Sequence, residues 1–263
     1  ISRPEGRRSR FLDWLRELGL MGKNSHEKFV PGVVFQQKDE WIAKFLSYLF
    51  ACDGSACINN TPRIEYYSVS ERLVRDVQHL LLLLGIQSKV FSRWVNYNSE
   101  RRKTWTCSIT WADDKQRFAE IVGIPSKEAA LADVVAHVGD SNASDDLIPL
   151  ATVHFVYDRA REIGKSFGTR LRNNRPYQDM RPRYDLTREK AHRLVEFLEG
   201  DEELARWAYS DVYWASVTNV EWLDERPTYD LTVEGTHNFI ANGIVVHNTE
   251  TLAISHALRT IFW

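Results

Sequence analysis

The sequence is poor in cysteine and has no long apolar run. Its three cysteines, Cys52, Cys57 and Cys107, form an odd set without a CxxC pair, which argues against a disulfide framework and against a structural zinc site. No apolar stretch approaches the roughly 20 residues that cross a bilayer, and the basic start has no apolar segment behind it. These absences predict a soluble, cytoplasmic protein with reduced thiols and without a membrane partner.

Net charge is also nearly absent, but the two signs are separated along the chain. The formal net charge is -2, yet residues 159–193 hold eleven Lys/Arg against four Asp/Glu, whereas residues 200–248 hold two against nine. A basic, Arg-rich stretch suits a polyanion such as duplex DNA, because phosphate contacts supply most non-specific affinity. The alternative is a solvated helical face.

The chain has enough apolar residues, 43% of its 263, to bury a core and to form more than one domain. Helical spacing of apolar residues predicts helices over 11–19, over 41–52 and, behind Ser70 as a cap, over 71–85. The helix over 41–52 is apolar almost all round, so we expect it to be buried on most sides. Alternating runs between these helices predict an antiparallel sheet, and the fold class is therefore α+β.

The predicted secondary structure changes twice in the remainder of the chain. Residues 113–210 are predicted to form helices joined by polar loops, the clearest of them from Thr187 to before Gly200. Residues 211–248 contain short β-type runs in quick succession, and Asn242-Gly243 indicates a hairpin.

The end of the last β-type run carries residues suited to breaking the chain. An asparagine side chain can attack its own backbone carbonyl if the leaving amide receives a proton, and a histidine can supply that proton. Asn248 follows His247 directly, His237 lies on the neighbouring run, and the Thr249 hydroxyl could accept an acyl group. A histidine on an edge strand is more commonly structural or solvated.

The stretch "YDLTVEGTHNFIANGIVVHN" followed by Thr resembles the C-terminal splicing blocks of inteins, most like those that interrupt replicative helicases and related ATPases. The resemblance implies an all-β Hint portion in which Asn248 cyclises with help from His247 and His237. It also implies that Asp230 organises the preceding transesterification, and that Thr249 is the acceptor nucleophile. It requires no cofactor for splicing.

A second stretch, "FLSYLFACDGS", resembles a LAGLIDADG homing-endonuclease motif in its intein form. The resemblance implies a LAGLIDADG-type α/β endonuclease portion in which Asp53 holds Mg²⁺ at a DNA phosphate. "MGKNSHEKFVP" matches the lysine-bearing block of these inteins and makes Lys28, and less surely Lys23, an electrostatic or water-orienting group. Tyr48 departs from the small residue common at its position. The cations expected to meet a DNA groove are Lys89, Arg93, Arg101, Arg102 and Lys103.

Part of the family pattern has no counterpart in the sequence. The chain starts with Ile1 instead of a nucleophile, contains no T-x-x-H block, and has a single LAGLIDADG-like helix. We therefore expect the C-terminal part of an intein, whose partner is an N-terminal intein fragment, either a separate chain or an upstream portion.

The expected domains are an endonuclease portion over 1–112, a basic DNA-binding or linking region over 113–210, a splicing segment over 211–248 and the start of the host protein over 249–263. The alternatives are a site-specific DNA endonuclease or a DNA-binding remnant with decayed splicing.

Overall fold

The structure is a computed structural model. It describes residues 9–97, 100–137, 147–148, 150–165, 186–210, 212–214, 219–225, 227, 229, 231–241 and 244–247. The chain forms two compact units, which are described separately.

The first unit includes residues 222–258, and its described residues up to 137 form five helices, a short 3₁₀ helix and four strands. In chain order they are α1 (Arg10–Glu17), the 3₁₀ helix η1 (Gly32–Gln36), α2 (Asp39–Asp53), β1 (Gly54–Asn59), β2 (Thr61–Ser68), α3 (Glu71–Leu83), β3 (Lys89–Tyr97), β4 (Glu100–Ile109), α4 (Ala112–Ile121) and α5 (Glu128–Ala136). The three helices predicted from apolar spacing are present as α1, α2 and α3. The Ser70 hydroxyl caps α3 by accepting from the Leu73 N–H.

The four strands form one antiparallel sheet in the order β1-β2-β4-β3. The register pairs Tyr66 with Cys107 and Ile64 with Ile109, and all four of these side chains are buried. Because directly opposed residues share a face, these pairs define the inner face, which packs against the helices. Residues of the other parity, such as Tyr67 opposite Thr106, define the outer face. The predicted α+β class with an antiparallel sheet is confirmed.

The first core continues past residue 112, where the sequence predicted a domain boundary. Helices α4 and α5 contribute Phe118, Val122, Leu131 and Val134 to the same cluster that contains Phe50 and Tyr66. The Phe118 and Phe50 rings lie 4.8 Å apart. Since apolar surface is buried against the nearest partner of suitable shape, these two helices belong with the sheet and not with the region that follows.

Helix α2 is not buried on most sides, and that expectation is wrong. Ile42, Leu46 and Phe50 lie in the core, whereas Trp41 and Tyr48 are 59% and 56% exposed. The sequence is apolar around the whole helix, but the sheet and α3 cover a single face. An apolar stripe on α2 is left at the surface.

The second unit has its own core. Its elements are β5 (Leu147–Ile148), α6 (Leu150–Glu162), β6 (Leu186–Thr187), α7 (Arg188–Phe197) and α8 (Glu202–Ala208). Ile148, Val156, Leu194 and Leu204 form its centre. Thr187 caps α7 by accepting from the Lys190 N–H, and Gly200 has a φ of 84°, so the predicted bounds of this helix are confirmed.

Fewer strands form after residue 210 than the sequence predicts. Of the described residues there, the regular ones are β7 (Asn238–Ala241) and β8 (Ile244–His247), which pair as an antiparallel hairpin. The described positions of the runs over 212–223 and 229–235 are irregular, because an extended run becomes a strand only where a neighbouring backbone pairs with it. The predicted hairpin is confirmed, since Ala241 pairs with Ile244 across a two-residue connection.

Two further expectations concern the thiols and the membrane. All three cysteines are free thiols, and burial raises the pKa of Cys107 to about 12, which keeps it protonated. In the part of the chain that the structure describes, no helix is both long and apolar enough to cross a membrane.

Candidate functional sites

Asp53 ends α2 at its junction with β1, and its side chain is exposed. The turn into β1 is tight because Gly54 lies against the preceding turn of the helix. A Cβ on Gly54 would lie 2.6–2.8 Å from Phe50 atoms, so only glycine fits there without displacing Phe50. Burial raises the pKa of the neighbouring Tyr66, and the Asp53 charge raises it further. The motif therefore presents a carboxylate to solvent from a helix end that is fixed by close packing.

Lys127 lies at the same junction, and no sequence pattern had indicated a role for it. Its ammonium group donates to the Gly54 carbonyl oxygen at 2.6 Å and lies 3.3 Å from the Phe50 carbonyl oxygen. A cation is favoured here because the carbonyl ends of a helix carry partial negative charge. Lys127 sits on the N-terminal cap of α5, far from Asp53 in sequence, so no local pattern could have revealed this contact.

Lys28 is exposed on a loop that α3 holds in place. The Ser70 hydroxyl donates to the Lys28 carbonyl oxygen at 2.6 Å, and the Val30 N–H donates to an Asp76 carboxylate oxygen at 2.9 Å. The Arg72 guanidinium lies 4.5 Å from the centroid of the Phe29 ring. Burial raises the pKa of Asp76 even though the Val30 N–H and Arg72 oppose the shift. The loop is thus anchored through its backbone, which leaves the Lys28 side chain in solvent.

A magnesium site at Asp53 would be incomplete within this chain. In the described part of the structure, no group of three or more His, Cys, Asp or Glu side chains is placed to hold a metal. Magnesium is commonly held by one or two carboxylates together with substrate phosphates. The exposed Asp53 fits the role of one such carboxylate, whereas the Gly54 carbonyl oxygen is already bound to Lys127.

The five cations predicted to meet DNA are divided between the two faces of the sheet. Lys89 pairs with Ser108 and Arg93 with Thr104, and both lie with Arg102 on the outer face. Arg101 and Lys103 have the parity of Cys107 and lie on the inner face. The Lys103 ammonium stacks on Trp105 at 4.4 Å from the ring centroid. A DNA duplex on the outer face could therefore contact Lys89, Arg93 and Arg102. The fold does not support the same prediction for Arg101 and Lys103.

Much of the described basic charge of the second unit stabilises its own fold. The Arg188 guanidinium donates to the carbonyl oxygens of Trp207, Ala208, Ser210 and Val212 at 2.7–3.1 Å. Arg159 pairs with Asp201 at 2.6 Å. Lys165 donates to the Phe197 carbonyl oxygen at 2.6 Å. Five further arginines of the predicted basic region lie outside the described residues: Arg170, Arg172, Arg175, Arg181 and Arg183.

The hairpin β7–β8 brings the two histidine positions together. Asn238 pairs with His247 at the end of the ladder, and His237 directly precedes Asn238. His237 has a φ of 54°, in the left-handed region, and its N–H donates to the Val233 carbonyl oxygen at 3.2 Å. Asp230, Asn248 and Thr249, and the side chain of His247, lie outside the described residues.

The sheet and α2 belong to a recognisable domain. Residues 40–123 match the family model described as the LAGLIDADG-like domain. The match begins in α2, contains Asp53 and the whole sheet, and ends after α4. The match supports a homing-endonuclease portion.

Most of the chain resembles segments of larger proteins. It is 36% identical over 260 residues to the replicative DNA helicase DnaB of Rhodothermus marinus, covering 93% of this chain and 27% of the helicase. It is 35% identical over 252 residues to the replicative DNA helicase DnaB of Nostoc sp., covering 90% and 28%. It is 29% identical over 237 residues to a DNA gyrase protein of Mycolicibacterium flavescens, covering 88% and 41%. The chain therefore spans about a quarter of the length of the two helicases.

Proposed function

We propose that this chain is the C-terminal portion of an intein that carries part of a LAGLIDADG homing endonuclease. Acting with its N-terminal portion, it would splice itself out of a host protein. Splicing would need no cofactor.

The register of β7–β8 is the observation that carries the proposal. Asn238 pairs with His247, and His237 directly precedes Asn238 in the chain, which supports the proposal that the His237 imidazole acts close to Asn248. An imidazole there could protonate the amide that leaves when the Asn248 side-chain nitrogen attacks its own carbonyl carbon. His247 would polarise that carbonyl, and the peptide bond to Thr249 would break as the succinimide closes.

The step before cyclisation would use the other two predicted residues. The Thr249 hydroxyl would attack the ester or thioester at the start of the intein and take over the N-terminal flank. Asp230 would organise that transesterification. The amine released when Asn248 cyclises would then attack the new ester, leaving an ordinary peptide bond between the two flanks.

The relatives favour the interpretation that this chain is an inserted element, and not a segment of the helicase itself. A replicative helicase and a DNA gyrase are different enzymes, yet each aligns with 88% or more of this chain. A common segment in unlike hosts is expected of an intein, which contributes nothing to the host's own activity. The sequence resemblance to inteins of replicative helicases agrees with the two helicase matches.

Exposed apolar side chains in the C-terminal segment support a missing partner surface. Trp222, Tyr229 and Ile240 are 79%, 95% and 73% exposed. An N-terminal intein portion would cover them by adding strands beside β7 and β8. This surface thus suits a second, β-rich part of the same splicing fold.

The endonuclease part is proposed to need a second half as well. The exposed stripe of α2, which includes Trp41 and Tyr48, would pack against a twin helix that carries the second carboxylate. Asp53 would then hold one side of a Mg²⁺ site at the scissile phosphate. Lys28 and Lys127 would stabilise negative charge on the phosphate, and the bound Mg²⁺ would supply Lewis-acid activation.

Two substitutions separate the two proposed activities. Asn248→Ala should abolish release of residues 249–263 when the N-terminal portion is supplied, and should leave DNA binding unchanged. Asp53→Asn should leave peptide release intact and remove Mg²⁺-dependent DNA cutting by the completed intein. Loss of both activities in either variant would indicate a folding defect, and peptide release by Asn248→Ala would refute cyclisation at that residue.

The runner-up function is a DNA endonuclease or a DNA-binding remnant with decayed splicing. The matched LAGLIDADG-like domain and the tight α2–β1 junction at Asp53 favour it. It predicts sequence-selective DNA binding and no peptide release under any condition. Asn248→Ala and Asp53→Asn together distinguish the two functions.

A further inference from the structure

A nearly buried carboxylate lies on the outer face of the sheet. Glu65 is 5% exposed, and the register places it between Ser55 of β1 and Ser108 of β4. A buried charge is costly unless hydrogen bonds compensate for lost water. Its presence on a face that carries Lys89, Arg93 and Arg102 therefore requires an explanation.

The carboxylate is held by hydroxyl groups and one nearby arginine. The Tyr67 hydroxyl donates to Glu65 Oε2, and the Ser108 hydroxyl donates to Oε1 at 3.2 Å. Arg63 Nη1 lies 4.0 Å from Oε1. The Ser55 hydroxyl donates to the Tyr67 oxygen at 3.4 Å. The network fixes the Tyr67 ring from both strands beside it.

An arginine rests on that fixed ring. The Arg93 guanidinium carbon lies 5.3 Å from the Tyr67 ring centroid, within the range of a cation–π contact, and the Arg93 side chain is exposed. Burial, and then the hydrogen bond to Glu65, raise the pKa of Tyr67, so the hydroxyl keeps the proton that it donates. A stacked arginine loses less conformational entropy on binding than a free one.

We infer that Arg93, held on the Tyr67 ring, reads a guanine in the major groove, and that Glu65 and Tyr67 are the residues that position it. An arginine fork matches the O6 and N7 acceptors of guanine, which is the most frequent specific contact to a base edge. Glu65 itself touches no base. This inference rests on the proposed DNA binding and adds to it the base that is read.

The inner face supplies a matched control. Arg101 stacks on Trp94 with its guanidinium carbon 5.9 Å from the ring centroid, which is the same kind of pair on the opposite face of the same hairpin. Arg101→Ala removes equal charge and a similar stack. Any loss of affinity that it causes should be even across sequences, so the guanine preference should remain.

The test is selection of random 20-base-pair duplexes by the full 263-residue chain, followed by sequencing of the bound DNA. Wild type should select sites with a guanine at one position. Arg93→Ala should lower that preference roughly tenfold or more, with little change in non-specific affinity. Tyr67→Phe and Glu65→Ala should relax the same position. Glu65→Gln should retain the preference, because its amide can still accept from Tyr67.

Thermal melting of each variant identifies any that fails to fold. If Glu65→Ala unfolds, Tyr67→Phe, which removes one hydroxyl, still tests the positioning role.

Four results would overturn the inference. Arg93→Ala could weaken all sequences evenly and reduce the salt slope by about one, as expected of a phosphate contact. Tyr67→Phe and Glu65→Ala could leave the preference intact, which would remove their positioning role. Wild type could select no duplex, in which case the proposed DNA binding fails together with the inference. If the wild-type preference survives Arg93→Ala, the chain still binds DNA as proposed, and only the inference about Arg93 is wrong.

Discussion

His237 is a single residue in which backbone geometry and proposed chemistry coincide. Its φ of 54° lies in the left-handed region, which costs a non-glycine residue roughly 1 kcal/mol or more. Histidine is one of the side chains that occur there more often than most. Such a conformation persists only where the surroundings enforce it. Here it lies directly before β7, the first strand of the hairpin.

Substitution at His237 separates the imidazole from the backbone. We expect His237→Gly to keep or slightly raise stability, because glycine adopts a positive φ without strain. His237→Ala keeps the strain and should not be stabilised. Both variants should lose release of residues 249–263, measured by mass spectrometry in the presence of the N-terminal portion. Normal release by His237→Gly would show that the imidazole has no role.

The sequence could predict the identity of the site residues better than their partners. Asp53 and Lys28 are recognisable because they lie in or beside local motifs. Lys127 is not, since its contact with the Gly54 carbonyl joins distant segments. Arg101 and Lys103 share the strand parity of Cys107, but the alternation alone does not say which face of the sheet is buried.

At the scale of elements, the α2–β1 junction places Asp53. The helix ends and the strand begins without a connecting loop, and Gly54 permits this by having no side chain against Phe50. Lys127 then binds the carbonyls on both sides of Asp53. Packing of Gly54 against Phe50 and the Lys127 cation thus fix the position of Asp53.

Gly54→Ala should damage this junction. Its Cβ would lie 2.7 Å from the Phe50 carbonyl oxygen, which cannot move without disturbing α2. We expect a loss of about 1–3 kcal/mol in the free energy of unfolding, measured in urea. Gly32→Ala is the control, because a Cβ at Gly32 meets nothing within 4 Å. Equal stability of the two variants would contradict the tight junction.

The second unit depends on Arg188 in a similar way. Its guanidinium holds carbonyl oxygens that α8 leaves without helical partners at its C-terminal end. Arg188→Met should speed amide hydrogen exchange in peptides that cover α8, corresponding to about 2–4 kcal/mol of lost protection. Arg193→Met, which removes an exposed pair with Glu189 in the same helix, should change exchange little. Similar exchange in both variants would show that Arg188 does not hold α8.

Elements with strong local signals were predictable, and those that depend on partners were not. Apolar spacing and caps placed α2, α3 and α7 close to their observed bounds, and Asn242-Gly243 indicated the hairpin. Among the described residues after 210, the same reasoning predicted more strands than the structure has, because a strand needs a paired neighbour. It also separated α4 and α5 from the sheet, since periodicity shows that a helix has an apolar face without showing what that face meets.

At the scale of the whole molecule, two candidate activities lie in different parts of the chain. The LAGLIDADG-like domain holds Asp53 and the outer sheet face, with Lys28 before it and Lys127 after it, whereas the proposed splicing residues follow the second unit. Each part leaves apolar surface exposed, at α2 and around β7–β8. Under the proposed function, both surfaces would contact the N-terminal intein portion.

The central claim is that the bond after Asn248 breaks and Thr249 is joined to a new partner. The most direct test is intact-mass spectrometry after this chain is produced together with the N-terminal portion from its native locus. We predict two products: a chain that has lost residues 249–263, and those residues joined through Thr249 to the N-terminal flank. A soluble complex in which every mass is unchanged would contradict the claim.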